Sequence, residues 1–500
     1  MKCTQTATNP NVGDADARTG KHCVTLIPGD GIGPEVTEAV RRVLSAANAP
    51  IEWEIAEAGR NVFEAGVASG VPRETIDSIN RTRAVLKGPL ETPVGHGGKS
   101  ANVTLRKMFE AFGNIRPVRQ LPQIRTPYSG RKIDFVVIRE NVEDLYAGIE
   151  HGQTPDVAQC LKLISTKGCD KISRLAFNLA RSEGRRSVHV ATKANIMKKT
   201  EGMMKRVFEQ VARDYPDIKP KHVLIDNCAH QLVVHPEQFE VIVTTNMNGD
   251  IISDLASGLV GGLGLAPSAN IGHEVAIFEP VHGSAPDIAG MDRANPTAML
   301  LSAVLMLRFL GEGAVADEVE AALLVTLSDG CGFTLDVADG RPVLGTRAFA
   351  DTIIRNLGRR PEGWVPRAHA SLAIPAQAER VVFAPAAKQE VVGIDLFTAF
   401  DGSAATLGRK LEQLAGGSGF RLKMISNRGT QVYPDRGNRT DCVDHWRCRF
   451  VLDQAAPTVP FEKISLLVNR FEAAGIGWMH IEKLNRYDGE DAFTKAQGED

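Results

Sequence analysis

Ile27-Pro28-Gly29-Asp30-Gly31-Ile32-Gly33-Pro34-Glu35 joins a β-branched run, Val24 to Ile27, to a helix-period segment from Glu35 to Ala47. Three glycines between a strand and a helix invite a dinucleotide-fold reading. The spacing is not the G-x-G-x-x-G of that fold, and Pro34 stands where a helix begins, a position at which its missing N–H costs nothing. The segment reads as a tight strand-to-helix turn whose glycine backbone can come close to a cofactor. Outward from it, as far as Leu357, short β-branched runs (Phe135 to Ile138, Val188 to Ala191, His222 to Ile225, Val241 to Thr244) alternate with helix-period segments (Lys171 to Arg181, Glu201 to Tyr215, Thr297 to Leu310). That alternation predicts α/β layering around a largely parallel sheet.

The pattern breaks at residues 358–384, which are rich in Pro, Ala and Arg and read as a linker. Beyond it the order is strand (Val391 to Phe400), helix (Thr406 to Ala415), two strands around a Gly-containing turn (Phe420 to Tyr433, Asp444 to Leu452), helix (Phe461 to Ala474) and strand (Gly477 to Leu484). This succession predicts a ferredoxin-like α+β domain over 385–490. Residues 1–20 are polar, lack an apolar core segment and read as a disordered leader.

A length of 500 residues allows about three domains. With 43% hydrophobic and 24% charged residues the composition is that of a soluble globular protein, and a net charge of −2 supplies no general attraction to nucleic acid or anionic membrane. No apolar run approaches the roughly 20 residues that span a bilayer. Eight scattered cysteines without a Cys-x-x-Cys pair fit reduced thiols in the cytoplasm. The expected partner is a small molecule.

Its chemistry is suggested by Lys99-Ser100-Ala101-Asn102-Val103-Thr104-Leu105-Arg106, followed by Arg116 and by Arg139-Glu140-Asn141-Val142-Glu143-Asp144-Leu145-Tyr146. Three planar guanidinium forks suit a polycarboxylate, with Ser100 and Asn102 as uncharged donors. In Asn248-Gly249-Asp250-Ile251-Ile252-Ser253-Asp254 two aspartates one helical turn apart share a face, and oxygen-only ligands favour Mg²⁺ or Mn²⁺. Asp226, after the run His222 to Ile225, is a candidate third carboxylate. A last constellation, Glu279-Pro280-Val281-His282-Gly283-Ser284-Ala285-Pro286-Asp287-Ile288, can wrap a planar ring, with Asp287 accepting from a ribose diol.

Taken with Lys193-Ala194-Asn195-Ile196-Met197-Lys198, these segments resemble the β-decarboxylating isocitrate/isopropylmalate dehydrogenases from about Val24 to Leu357. The resemblance implies that family's own fold rather than a Rossmann domain, with a large domain of residues 21–111 and 262–357 and a small domain of 112–261 that carries a dimer clasp. It implies substrate binding by Ser100, Asn102, Arg106, Arg116 and Arg139, acid/base roles for Tyr146 and Lys193, and metal ligation by Asp226, Asp250 and Asp254. It also implies a cofactor site of Ile32, Thr92, Asn195, His282, Gly283, Ser284, Ala285, Asp287, Ile288 and Asn295. In this family Lys193 and Asp226 enter the neighbouring subunit's site, so a homodimer is the smallest active unit.

The polar Ser100 and Asn102 suit the extra carboxylate of isocitrate and disfavour isopropylmalate. Homoisocitrate, or a role as a non-catalytic regulatory subunit, are the alternatives; the presence of the acid/base and metal residues favours an active enzyme. NADP-linked members carry Lys-Tyr where this chain has Asp287-Ile288, and a Tyr and an Arg at the positions of Leu335 and Asp339. Glu91 departs from a threonine of those enzymes. NAD is therefore the expected cofactor. The C-terminal domain resembles an addition found in long bacterial forms. Assembly, including a higher oligomer, is its first expected role, ahead of effector binding and RNA contact.

Overall fold

The computed structural model describes residues 20–91, 100–330, 332–366, 372–376, 386–437 and 439–499. The leader as far as residue 19, much of the linker, and Thr92 lie outside the described residues. The chain divides into two compact units, Met1–Ala147 with Leu163–Val381, and Gly148–Lys162 with Val382–Asp500.

The first unit is built on a ten-stranded sheet. Its strands run in the order Ile51–Ile55, His22–Ile27, Ala84–Lys87, Ala276–Pro280, Pro267–Ile271, Gly113–Arg119, Asp134–Glu140, Val241–Thr244, Ser187–Thr192 and Lys219–Leu224. Pairing is parallel toward both edges, as the alternation predicts. At the centre Pro267–Ile271 and Gly113–Arg119 run antiparallel to their neighbours. A doubly wound dinucleotide fold is built on a mostly parallel sheet, so the two reversed strands at the centre set this sheet apart from it, in line with the non-Rossmann fold that the resemblance implies.

Helices Thr297–Phe309 and Gly313–Ser328 carry apolar residues around almost their whole circumference and are buried accordingly. Helix Gly33–Ala46 has one apolar face, through Val36, Val40, Val43 and Leu44, which are all buried. Asp226 departs from the sequence reading. The strand stops at Leu224, and Asp226 stands in the first turn of helix Ile225–Val234, where a carboxylate complements the helix dipole.

In the second unit the strands are ordered Thr430–Tyr433, Phe420–Asn427, His445–Ala456, Gln389–Ala399, Trp478–Tyr487 and Glu490–Asp491, with every pairing antiparallel. Helices Ala404–Ala415 and Phe461–Ala473 bury Leu407, Leu411, Leu467 and Phe471 against Ile394, Leu396, Ile425, Cys448 and Phe450. This is the ferredoxin-like arrangement. Its span Phe420 to Tyr433 is a hairpin rather than one strand, because Arg428 and Gly429 both take positive φ, the backbone of a two-residue turn. The short hairpin Glu150–Gly152 and Ala158–Cys160 belongs to this unit.

Candidate active site

The arginines expected to bind carboxylates rise from three elements of the first unit. Arg106 sits on helix Ala101–Met108, whose N-cap is Ser100. Arg116 and Arg139 come from neighbouring strands that run antiparallel. Arg139 is almost wholly buried; it donates through Nε and Nη2 to Asn246 Oδ1 at 3.0 and 2.8 Å and through Nη1 to Asp250. Arg116 donates to Asn114 Oδ1 (2.8 Å) and Ser253 Oγ (2.5 Å) and lies 3.4 Å from both Asp250 and Asp254. Burial lowers both guanidiniums, Arg139 to about 10, where Arg116 and Arg106 add like-charge repulsion. Such a basin gains by taking up anions.

Asp250 and Asp254 do share one face of helix Asn246–Leu259. Desolvation alone would raise Asp250, but Arg139, Arg116 and the Tyr146 hydroxyl outweigh it and hold the carboxyl below its ordinary value. Asp254 is pushed up by desolvation. The Tyr146 hydroxyl donates to Asp250 Oδ2 at 2.5 Å, and Arg139 lies over the Tyr146 ring at 4.9 Å. Burial first and Asp250 second raise the phenol, which keeps its proton available at neutral pH.

Lys193 and Asp226 stand apart from this cluster as a pair of their own, with Nζ 2.7 Å from Oδ1. Among the described residues no three His, Cys, Asp or Glu side chains of one chain form a metal-binding group. Asp250 and Asp254 offer two carboxylates on one helix face, an oxygen-only pair of the kind that suits Mg²⁺ or Mn²⁺.

The Gly-rich turn meets the His282 loop directly. Ile32 N–H donates to Ser284 O at 2.8 Å, and Asp30 accepts from the backbone N–H groups of Arg60 (3.1 Å) and Glu91 (2.7 Å). A cavity of about 200 Å³ opens here, lined by Ile32, His282, Gly283, Ala285, Ile288 and Asn295, with Gly264, Arg293, Ala294 and Asp336. Most of the expected cofactor residues are thus brought together. Asn295 is anchored by donating to Asp336 Oδ2 at 3.0 Å. Asn195 is exposed beside Lys193 and does not line this cavity, and neither does the exposed Asp287.

A buried network that the sequence reading missed ties the two halves of the site. Glu279, on the strand leading to His282, pairs with Lys87 at 2.5 Å and Arg106 at 2.8 Å and accepts from Asn270 at 2.7 Å. Asn270 accepts from Asn114, which holds Arg116. Burial would raise Glu279, but Lys87 and Arg106 overcome it and keep the carboxyl well below its usual range. Glu279 and Lys87 are adjacent only across the sheet, 192 positions apart by number, so no local motif announces them.

Comparison with known proteins points to one family. Residues 23–353 match the isocitrate/isopropylmalate dehydrogenase family and residues 389–499 match the bacterial isocitrate dehydrogenase C-terminal domain. The chain is 59% identical over 484 residues to an isocitrate dehydrogenase [NADP] of Thermus thermophilus, covering 96% of this chain and 97% of the relative. It is 40% identical to the isocitrate dehydrogenase [NADP] of Rickettsia conorii, over 95% and 99% of the two chains. The crystal structure of the TT0538 protein from Thermus thermophilus superposes with a TM-score of 0.94 at 57% identity, covering 99% of this chain and 100% of the other.

These relatives correct the expectation of NAD. They are named for NADP, although the expectation rested on the absence of one particular set of phosphate-binding residues. Absence of one solution does not exclude another. Asp287, expected to accept from the ribose diol, lies outside the cavity lining. Arg293 lines the cavity, and its exposed guanidinium has no partner among the described residues.

Proposed function

The chain belongs to the isocitrate/isopropylmalate dehydrogenase family, and from that premise we propose that it oxidatively decarboxylates isocitrate to 2-oxoglutarate and CO₂ with NADP as hydride acceptor. The observation that carries the reading is the convergence of Arg139, Arg116 and the Tyr146 hydroxyl on Asp250. Few small substrates need several guanidiniums, a paired carboxylate and a phenolic acid within one basin.

In this reading Arg106, Arg116 and Arg139 hold the substrate carboxylates, with Ser100 and Asn102 adding neutral donors. The buried amide oxygen of Asn102 and the Nε of Arg106 have no partner among the described residues, which leaves both groups incompletely satisfied before substrate arrives. A divalent cation held by Asp250 and Asp254 would polarise the C2 hydroxyl oxygen and would offset the negative charge that develops on that oxygen as CO₂ leaves. Lys193 and Asp226 of a second copy complete the site, Lys193 accepting the hydroxyl proton as hydride passes from C2 to the nicotinamide. Tyr146, with its raised phenol, delivers a proton to C3 as CO₂ departs. His282, Ile32 and Asn295 hold the adenosine end of the coenzyme, and Arg293 is the cation nearest at hand for its 2′-phosphate. Six described cysteines are free thiols, which supports a cytoplasmic location.

The test is the initial rate of NADPH and NADH formation from isocitrate with Mg²⁺ or Mn²⁺, using wild type and Tyr146→Phe. Wild type should favour NADP. The variant should lose about 100-fold or more in kcat with a nearly unchanged KM for isocitrate. Full turnover by Tyr146→Phe would remove its acid role, and an absence of isocitrate-dependent reduction of either coenzyme would overturn the assignment.

A further inference from the structure

Side chains alternate between the two faces of the C-terminal sheet. Ile394, Leu396, Trp446, Cys448 and Phe450 join the apolar core with the helices. The intervening residues, Asp395, Phe397, His445, Arg447 and Arg449, therefore occupy the opposite face. Strand pairing sets Asp395 against Arg449 and Phe397 against Arg447.

Arg449 is fully buried; it forks onto Asp395 at 2.8 and 2.7 Å and onto Glu499 at 2.9 and 2.8 Å, and Lys423 reaches Glu499 at 3.0 Å. Both carboxylates are thus engaged by other cations. Arg447, 3.9 Å from Asp395, is left without a close carboxylate of its own. Its Nε donates to Ser426 Oγ at 3.0 Å, while its buried Nη2 has no partner among the described residues. Phe397 lies beside it, stacked at 5.6 Å on His445 and at 3.9 Å on His480, and the buried Nε2 atoms of both histidines also lack partners among the described residues. The hairpin of residues 148–162 approaches the same face. Thr154 donates to Asp444 at 3.0 Å, His151 acts on His480, and the buried Oε1 of Gln153 is another atom without a partner among the described residues.

We propose that this face binds a small oxyanion, a phosphate or carboxylate group, through Arg447 Nη2 with His445 and His480 as additional donors. A buried guanidinium N–H without a partner is costly, and an anion satisfies both the charge and the hydrogen-bonding need. Arg447 and His480 keep 19% and 27% of their side chains exposed, which leaves an approach from solvent. Burial lowers both imidazoles, and each is further lowered by a neighbouring histidine; a bound anion acts in the opposite sense. Gln153 Oε1 suits the protonated oxygen of a monohydrogen phosphate.

The experiment is a histidine-selective NMR titration of the full chain with inorganic phosphate, with NADP present in excess so that the coenzyme site is filled. His445→Asn and His480→Asn assign the signals. Phosphate should raise the titration midpoints of His445 and His480, and Arg447→Gln should need about tenfold more phosphate for the same effect, as expected for loss of one charged hydrogen bond. Asp395, Asp444, Glu482, His151, Lys423, Arg449 and Glu499 also face this region and set the midpoints without phosphate, so only the phosphate-dependent change is diagnostic. Midpoints indifferent to phosphate, or an equal response in Arg447→Gln, overturn the proposal. If Arg447→Gln does not fold, His480→Asn read at His445 takes its place: a weaker phosphate response supports the site, and an unchanged one overturns it.

Discussion

Glu140 follows Arg139 on the strand that forms the floor of the basin, and its carboxylate is buried while accepting from the backbone N–H groups of Val142 (2.8 Å) and Glu143 (3.1 Å). Burial outweighs those bonds and pushes the carboxyl up to about 7 from 4.5. Between these values the unfolded chain is ionised while the folded one keeps its proton. Stability from this group is therefore complete below pH 4.5 and is lost as pH rises to about 7, by roughly 3 kcal/mol in all. Glu140→Gln retains an acceptor oxygen and removes the titration. Its Tm should fall less than that of wild type between pH 5 and pH 8, and equal slopes would show that Glu140 is not the source. Residue identity was legible at this scale where spacing carries chemistry, as with Asp250 and Asp254. Glu140 has no comparable signature, because its shift arises from strands that cover it only after folding.

At the scale of elements, the turn between strand His22–Ile27 and helix Gly33–Ala46 is held from two sides, by Ser284 and by the backbone that donates to Asp30. Gly31 has φ +57°, and a Cβ there would run into the Ser284 carbonyl. The sequence reading took these glycines as a tight turn able to approach a cofactor. The neighbour they admit within the chain is the His282 loop, more than 240 residues away. Gly31→Ala should destabilise the fold by about 1–3 kcal/mol and displace the loop. The KM for coenzyme should rise while that for isocitrate stays close to wild type. A variant with unaltered Tm and coenzyme KM would show that the contact yields without consequence. Asp226 teaches the complementary lesson, since a run of β-branched residues does not reveal that a helix begins immediately after the strand.

For the whole molecule, Lys193 pairs with Asp226 rather than with the Asp250 cluster, which bears on the proposal of a site shared between two copies. If a second copy supplies Lys193, the inactive variants Lys193→Met and Tyr146→Phe should complement each other. After equal mixing, unfolding and refolding together, half the dimers are mixed and each has one intact site, giving about a quarter of wild-type activity. Activity no higher than that of the separate variants would place both residues in one chain's site. The sequence by itself determined the α/β layering, the ferredoxin-like order of the C-terminal elements, and the arginine, aspartate and tyrosine set of the basin, because periodicity and short spacings are local. Tertiary structure alone decided the antiparallel centre of the sheet, the Glu279–Lys87 link, the inclusion of hairpin 148–162 in the C-terminal unit, and the exclusion of Asp287 from the cavity that Arg293 lines. Each of these depends on which distant segments meet and on how deeply the meeting buries charge, and neither quantity is written in the spacing of residues along the chain.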